Sequence, residues 1–199
     1  MSLTCVPDGE IATIVTSLQM TVRPRPRPMH VSRLRLDRWR EPAPDRYRAL
    51  FQRVGAPWLW FSRLAMAEET LVAIICDPAV EVYAVTDARG IELGMLELDF
   101  REPATCEISY FGLVPELTGQ GEGRWLMAHT LMLAWRSGVE RVWVHTCTLD
   151  HPKALNFYRA QGFEPYARAV EIFSDPRLAG LLPPDAAPHI PLITPSSRR

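Results

Sequence analysis

The chain predicts a mixed α/β domain, a single sheet with helices on its faces. Three observations lead there. Apolar patterning switches between period 2 and period 3.6 in the order strand, two helices, three strands, helix, strand, helix, strand. A glycine-rich turn, Gly119-Gln120-Gly121-Glu122-Gly123, joins a strand directly to a helix. At 199 residues the chain holds one domain with a substantial core, or one domain plus a short appendage.

Glu10 to Met20 mixes β-branched residues with some alternation and is expected as the first strand. Alternating Arg and Pro from Arg23 to Pro28 forbids helix and ladder pairing, so this is a stiff, extended, solvated connector. Pro44-Asp45 opens a helix, and Tyr47, Leu50, Phe51 and Val54 recur at helical spacing before Gly55 ends it. The cluster Pro57-Trp58-Leu59-Trp60-Phe61 is either core packing or a pocket wall. Ala67 to Cys76 is a second helix, stopped by Asp77-Pro78. Val80–Val85, Gly94–Phe100 and Cys106–Val114 form an antiparallel meander. A long helix from Gly121 to Ser137, a strand Arg141–Cys147, a helix Pro152–Gln161 and a strand Ala167–Phe173 complete the pattern. From Ser174 onward, proline and small residues without periodicity predict a tail, draped over the surface or disordered. The expected division is therefore a domain over 1–173 and a Pro-rich tail over 174–199.

Composition narrows the function classes. A net charge of −1, with 47% hydrophobic and 23% charged residues, offers no electrostatic reason for a nucleic-acid partner. No run approaches the roughly 18 apolar residues of a membrane span, and the first ten residues lack the pattern of a secretory signal. The cysteines Cys5, Cys76, Cys106 and Cys147 are scattered, which suits free thiols in a reducing cytoplasm and no metal site.

The glycine-rich turn carries the chemistry. The first N–H groups of a helix lack internal partners and lie at the positive end of its dipole. Glycines let an anion approach the backbone, so the junction suits a pyrophosphate, with Arg124 adding a charge-assisted contact. The ending is not the Gly-Lys-Ser/Thr of a P-loop. No acidic residue follows about 20 positions on at a strand end, as a dinucleotide fold would require, and the strand before the turn belongs to a meander.

Leu113-Val114-Pro115-Glu116-Leu117-Thr118-Gly119-Gln120-Gly121-Glu122-Gly123 resembles the acetyl-CoA loop of the GNAT N-acetyltransferase superfamily, V-x-P-x-x-R/Q-G-x-G-x-G/A. Ala154-x-x-x-Tyr158-x-x-x-Gly162-Phe163 resembles its second signature, in the right order and one strand later. With the element order, the resemblance covers residues 10 to 173. It implies a mostly antiparallel sheet with a V-shaped splay between two parallel strands and helices on both faces. Here those strands are the ones ending at Leu113 and at Cys147. It implies acetyl-CoA as cosubstrate and transfer to a primary amine of a small molecule or of a protein.

The family likeness assigns Phe111, Leu113, Val114, Gly119, Gln120, Gly121, Gly123 and Arg124 to cofactor binding, with the Val114 N–H as donor to the thioester carbonyl. His151 stands where Asn is common, and Asn156 is the substitute for it on the helix. Tyr158 matches the tyrosine proposed as general acid at the sulfur. Glu107 matches the glutamate base of one branch, and simple alternation puts it on the face of Phe111 and Leu113. His145, acting through a water, is the other candidate base. Thr118, Glu122 and His151 depart from the family pattern, which motivates the alternative of an acyl-CoA-binding regulatory module without robust transfer. The acceptor stays open. The aromatics within Met29–Met66 suit an apolar amine, and Arg33-Leu34-Arg35-Leu36-Asp37-Arg38 suits a carboxylate. Homodimerisation is also left open.

Overall fold

The structure is a computed structural model that describes residues 3–25, 28 and 31–195. The Arg-Pro connector falls partly outside them, at Pro26 and Arg27. Seven strands form one sheet: β1 (Glu10–Met20), β2 (Arg35–Trp39), β3 (Val80–Thr86), β4 (Glu92–Asp99), β5 (Thr105–Leu113), β6 (Arg141–Cys147) and β7 (Glu164–Ser174). Their order across the sheet is β2-β3-β4-β5-β6-β1-β7, and β5–β6 is the parallel pair in an otherwise antiparallel sheet.

The helices are α1 (Pro44–Gly55), α2 (Ser62–Ala65), α3 (Glu68–Ile75), α4 (Glu122–Ala134) and α5 (Ala154–Gln161). They divide between the two faces as the amphipathic pattern requires. Under α4 and α5, Leu18, Leu96, Leu98, Ile108, Val142 and Val144 pack against Leu126, Met127 and Tyr158. On the opposite face, Val82, Ala84 and Met95 pack against Tyr47, Phe51 and Val54 of α1 and Leu71 and Ile75 of α3.

Three expectations need correction. β2 was not expected from its charged sequence. It is an edge strand, where charge blunts unwanted pairing, and Asp37 and Arg38 find Thr86 (2.6 Å) and Glu81 (3.1 Å) on or beside β3. The aromatic loop leads into an additional short helix, α2. The segment after β7 is docked: Leu182 and Ala187 are buried against Ile11, Leu59 and Leu149. Arg177 and Asp175 form a buried ion pair at 2.7 Å, and Arg177 also donates to the carbonyls of Ala186 and Ile190.

Candidate active site

β5 and β6 stay in register from Thr105↔Arg141 to Ile108↔Val144 and then part. Past that point a cleft of about 570 Å³ opens between them, within the range of small-ligand sites. Ile108 to Leu113 line one wall, and Val144, His145 and Cys147 line the other. One end of the cleft reaches Leu117, Thr118, Gly119 and Gly123, and the other reaches Trp58 to Ser62 and Phe173.

At the glycine end, Gly119 and Gly121 adopt φ of +82° and +86°, the left-handed region that glycine enters without strain. Gly121 is the N-cap of α4, so the N–H groups of Glu122 and Gly123 have no intrahelical partner and point outward at the positive helix end. A side chain built on Gly119 meets nothing within 4 Å, so the backbone there is open to close approach. Gln120 folds back, its Nε2 donating to the Glu116 carbonyl at 2.7 Å. Arg124 and Asn156 are exposed, and neither they nor Gln120 and Gly121 are among the cleft lining. Lys153, which sequence reasoning missed, is the lysine or arginine that lines the cleft among the described residues. His151 does line it, with Nδ1 accepting from the Lys153 N–H at 3.1 Å and its ring edge-on to Trp58.

The splay exposes backbone, but not the N–H expected. Val114 donates to the Leu93 carbonyl at 2.9 Å and so belongs to the β4 ladder. In an antiparallel pair successive residues point their amides to opposite sides. Leu113 and Phe111 therefore aim theirs toward β6, into the opening. The phenyl ring of Phe111 stacks on Phe157, and Tyr158 stands edge-on to both.

Glu107 also differs from expectation. Glu97 pairs with Tyr110 and Leu98 with Ile108, so Ser109 is an extra residue, a bulge. The bulge reverses the alternation. Phe111 and Leu113 pack on the α4–α5 side, whereas Tyr110 packs on the α1–α3 side. Glu107 pairs across from Asp99 and lies electrostatically near Glu97, on that second side. Its Oε1 is 3.7 Å from His145 Nδ1. His145 lines the cleft; Glu107 sits behind it, 26% exposed. Burial, and then the Asp99 and Glu97 carboxylates, push the Glu107 carboxyl up to about 7.

Glu97 is itself fully buried, accepting from Tyr47 Oη (2.5 Å) and Arg63 (2.5 Å). Asp150 ties the aromatic loop to the end of β6: it accepts from Thr146 (2.7 Å), the Cys147 N–H (2.9 Å) and Trp60 Nε1 (3.3 Å). Glu97 carries no sequence signal because its partners come from α1 and α2, and Asp150's link to the aromatic loop through Trp60 spans 90 residues.

The arrangement is thus a glycine-rich helix end joined by a splayed parallel pair to a second pocket. A family model described as acetyltransferase (GNAT) family matches residues 29–163, and the chain belongs to this family. A search of curated proteins finds no match. Among solved structures, a GCN5-related N-acetyltransferase from Sphaerobacter thermophilus aligns with TM-score 0.58 and 13% identity, over 81% of this chain and 51% of that one. An aminoglycoside acetyltransferase from an uncultured soil metagenomic sample, in complex with sisomicin, aligns with TM-score 0.53 and 19% identity, over 65% and 88%. A tandem GNAT protein from the clavulanic acid biosynthesis pathway aligns with TM-score 0.51 and 20% identity, over 86% and 55%. The chain thus spans about half the length of the first and third of these proteins. At such identities the likeness is one of fold.

Proposed function

We propose that the protein transfers an acetyl group from acetyl-CoA to a primary amine. The observation that carries this reading is a single cleft joining the glycine loop at the α4 N-terminus to the aromatic pocket through the β5–β6 splay. The residues fit the cosubstrate. Gly119 and Gly123, which line the cleft, leave room for a pyrophosphate against backbone N–H groups, with Lys153 in the lining and Arg124 exposed on α4 as cations. Phe111 and Leu113 offer amides to the pantetheine arm and the thioester carbonyl. When bound, acetyl-CoA supplies the activated acetyl group.

The chain's own residues then manage protons. His145, in the cleft wall, receives the amine's proton, and Glu107 behind it, with a pKa near 7, stabilises the imidazolium or takes the proton onward. Burial raises the Tyr158 phenol well above 10, aided by the nearby Asp150 charge. A free thiol titrates near about 8.5, so this phenol keeps its proton. Tyr158 acts as a neutral hydrogen-bond donor to the departing sulfur rather than as a full acid.

The test is acceptor-dependent thiol release, paired with calorimetry of acetyl-CoA binding to the wild type and to Gly121→Asp. That substitution places a negative side chain at a left-handed position beside the phosphates. Affinity is expected to fall by at least about tenfold, one charged contact's worth. Unchanged affinity removes the loop assignment. Binding without acceptor-dependent release favours a regulatory acyl-CoA-binding module.

A further inference from the structure

The two acceptor classes that the sequence leaves open, apolar amine and carboxylate-bearing amine, depend on different parts of the chain, and the fold separates them. Arg35 and Arg38 lie on β2, three strands from β5, roughly 14 Å away at the usual strand spacing. Arg38 there pairs with Glu81. Arg63, on the short helix beside the cleft, is buried and spent on Glu97. Among the described residues, no arginine lines the acceptor half of the cleft to meet an anionic group. Lys153, exposed at the N-cap of α5, lines the cleft on the side of that helix, whose Phe157 faces the glycine loop at Gly123.

What the acceptor half does present is aromatic surface and negative charge. Trp58, Trp60 and Phe61 line it, and Phe61 stacks on Phe173 with ring centroids 4.8 Å apart, bridging the loop to β7. Asp150 and Glu171 are its carboxylates, with Glu107 behind His145. Aromatic faces attract a cation and bury an apolar body. Carboxylates attract an ammonium and repel a carboxylate, which would lose water here without gaining a partner.

We infer that the acceptor is an amine carried on an aromatic or large apolar body and bearing no carboxylate. This inference rests on the acetyl-transfer reading above. Aliphatic polycations are disfavoured because their thin alkyl chains leave the apolar area of the four aromatic rings largely uncovered.

The experiment uses the full chain at saturating acetyl-CoA and compares 2-phenylethylamine, phenylalaninol, phenylalanine and spermidine by acceptor-dependent thiol release. The first two are expected to exceed the last two in kcat/KM by at least about tenfold. Trp58→Ala and Phe61→Ala should each raise KM for 2-phenylethylamine by about tenfold and leave the acetyl-CoA Kd unchanged. Phenylalanine or spermidine equalling the arylamines overturns the inference and leaves acetyl transfer standing. Release with none of the four in a protein that binds acetyl-CoA also overturns the inference, and the transfer reading then stands or falls on release with any other amine. Failure to bind acetyl-CoA removes the transfer reading itself, and the inference with it.

Discussion

Burial and the Asp99 and Glu97 carboxylates hold the Glu107 carboxyl near 7 against the pull of Arg63 and Arg101. Two consequences follow at the scale of this residue. For catalysis, Glu107 must be ionised to accept charge from His145, so kcat/KM should rise with pH through about 7. Glu107→Gln should lower it about 10²-fold and flatten that limb. Two acceptors of different basicity distinguish this limb from the acceptor's own ammonium. For stability, the folded state binds the Glu107 proton more tightly than the unfolded chain, whose value is near 4.5. The wild type is then progressively destabilised as pH rises from 4.5 through 7, and Glu107→Gln escapes this. Denaturant titrations should show the variant gaining up to about 3 kcal/mol on the wild type between pH 5 and pH 8. A constant difference would mean that Glu107 titrates at its ordinary value. Glu107 was legible in the sequence as a candidate, but its face was not. One extra residue at Ser109 inverts the alternation, and a bulge is defined only by the register of the partner strand.

Among the elements, β5 does most to shape the cleft. It pairs with β4 from Glu107 to Leu113 and with β6 from Thr105 to Ile108, so its second half offers backbone to the opening. Gly112 lies in that half. A Cβ there would stand 2.6 Å from Val54 on α1 and 3.0 Å from the Trp60 ring, so the missing side chain lets helix and aromatic loop close on the strand. Gly112→Ala should destabilise the fold by about 1–3 kcal/mol through overpacking, measurable as a lower urea midpoint at unchanged slope. A neutral outcome would show that Val54 and Trp60 yield freely. The glycine turn that opens α4 was readable, because glycines at a strand-to-helix junction report a local geometry. The Val114 amide was misjudged because which N–H faces the splay depends on β4, not on the loop.

Across the whole molecule, chain ends meet at the acceptor loop. Leu59 of that loop is buried with Ile11 of β1, Leu149 after β6, and Leu182 and Ala187 beyond β7. Trp58 contacts His189 and His151 with ring centroids 6.2 and 5.4 Å away. Ending the chain at Ser174 would strip these contacts and the buried Asp175–Arg177 pair. Stability should fall by about 2–4 kcal/mol, the worth of one or two large apolar side chains returned to water. KM for the amine should rise while acetyl-CoA affinity holds, because the glycine loop lies at the other end of the cleft. Acceptor kinetics unaffected by the truncation would separate the C-terminal segment from the pocket.

Local pattern by itself determined most of the elements: the spans of β1 and β6, the start of α1 at Pro44, and the glycine junction that opens α4. Each of these is encoded within a few residues by periodicity, by proline and by glycine. Contacts between distant segments decided the rest. β1 leaves its sequence neighbours and enters the sheet between β6 and β7, because only there do Leu18 and Met20 reach the α4–α5 core. Glu97 is buried because Tyr47 and Arg63, from two other elements, converge on it. Glu107 and His145, 38 residues apart in number, become neighbours because β5 and β6 run parallel with Glu107 opposite Trp143. Register, face and partner are relations between strands, and a linear pattern specifies each strand without specifying its neighbour.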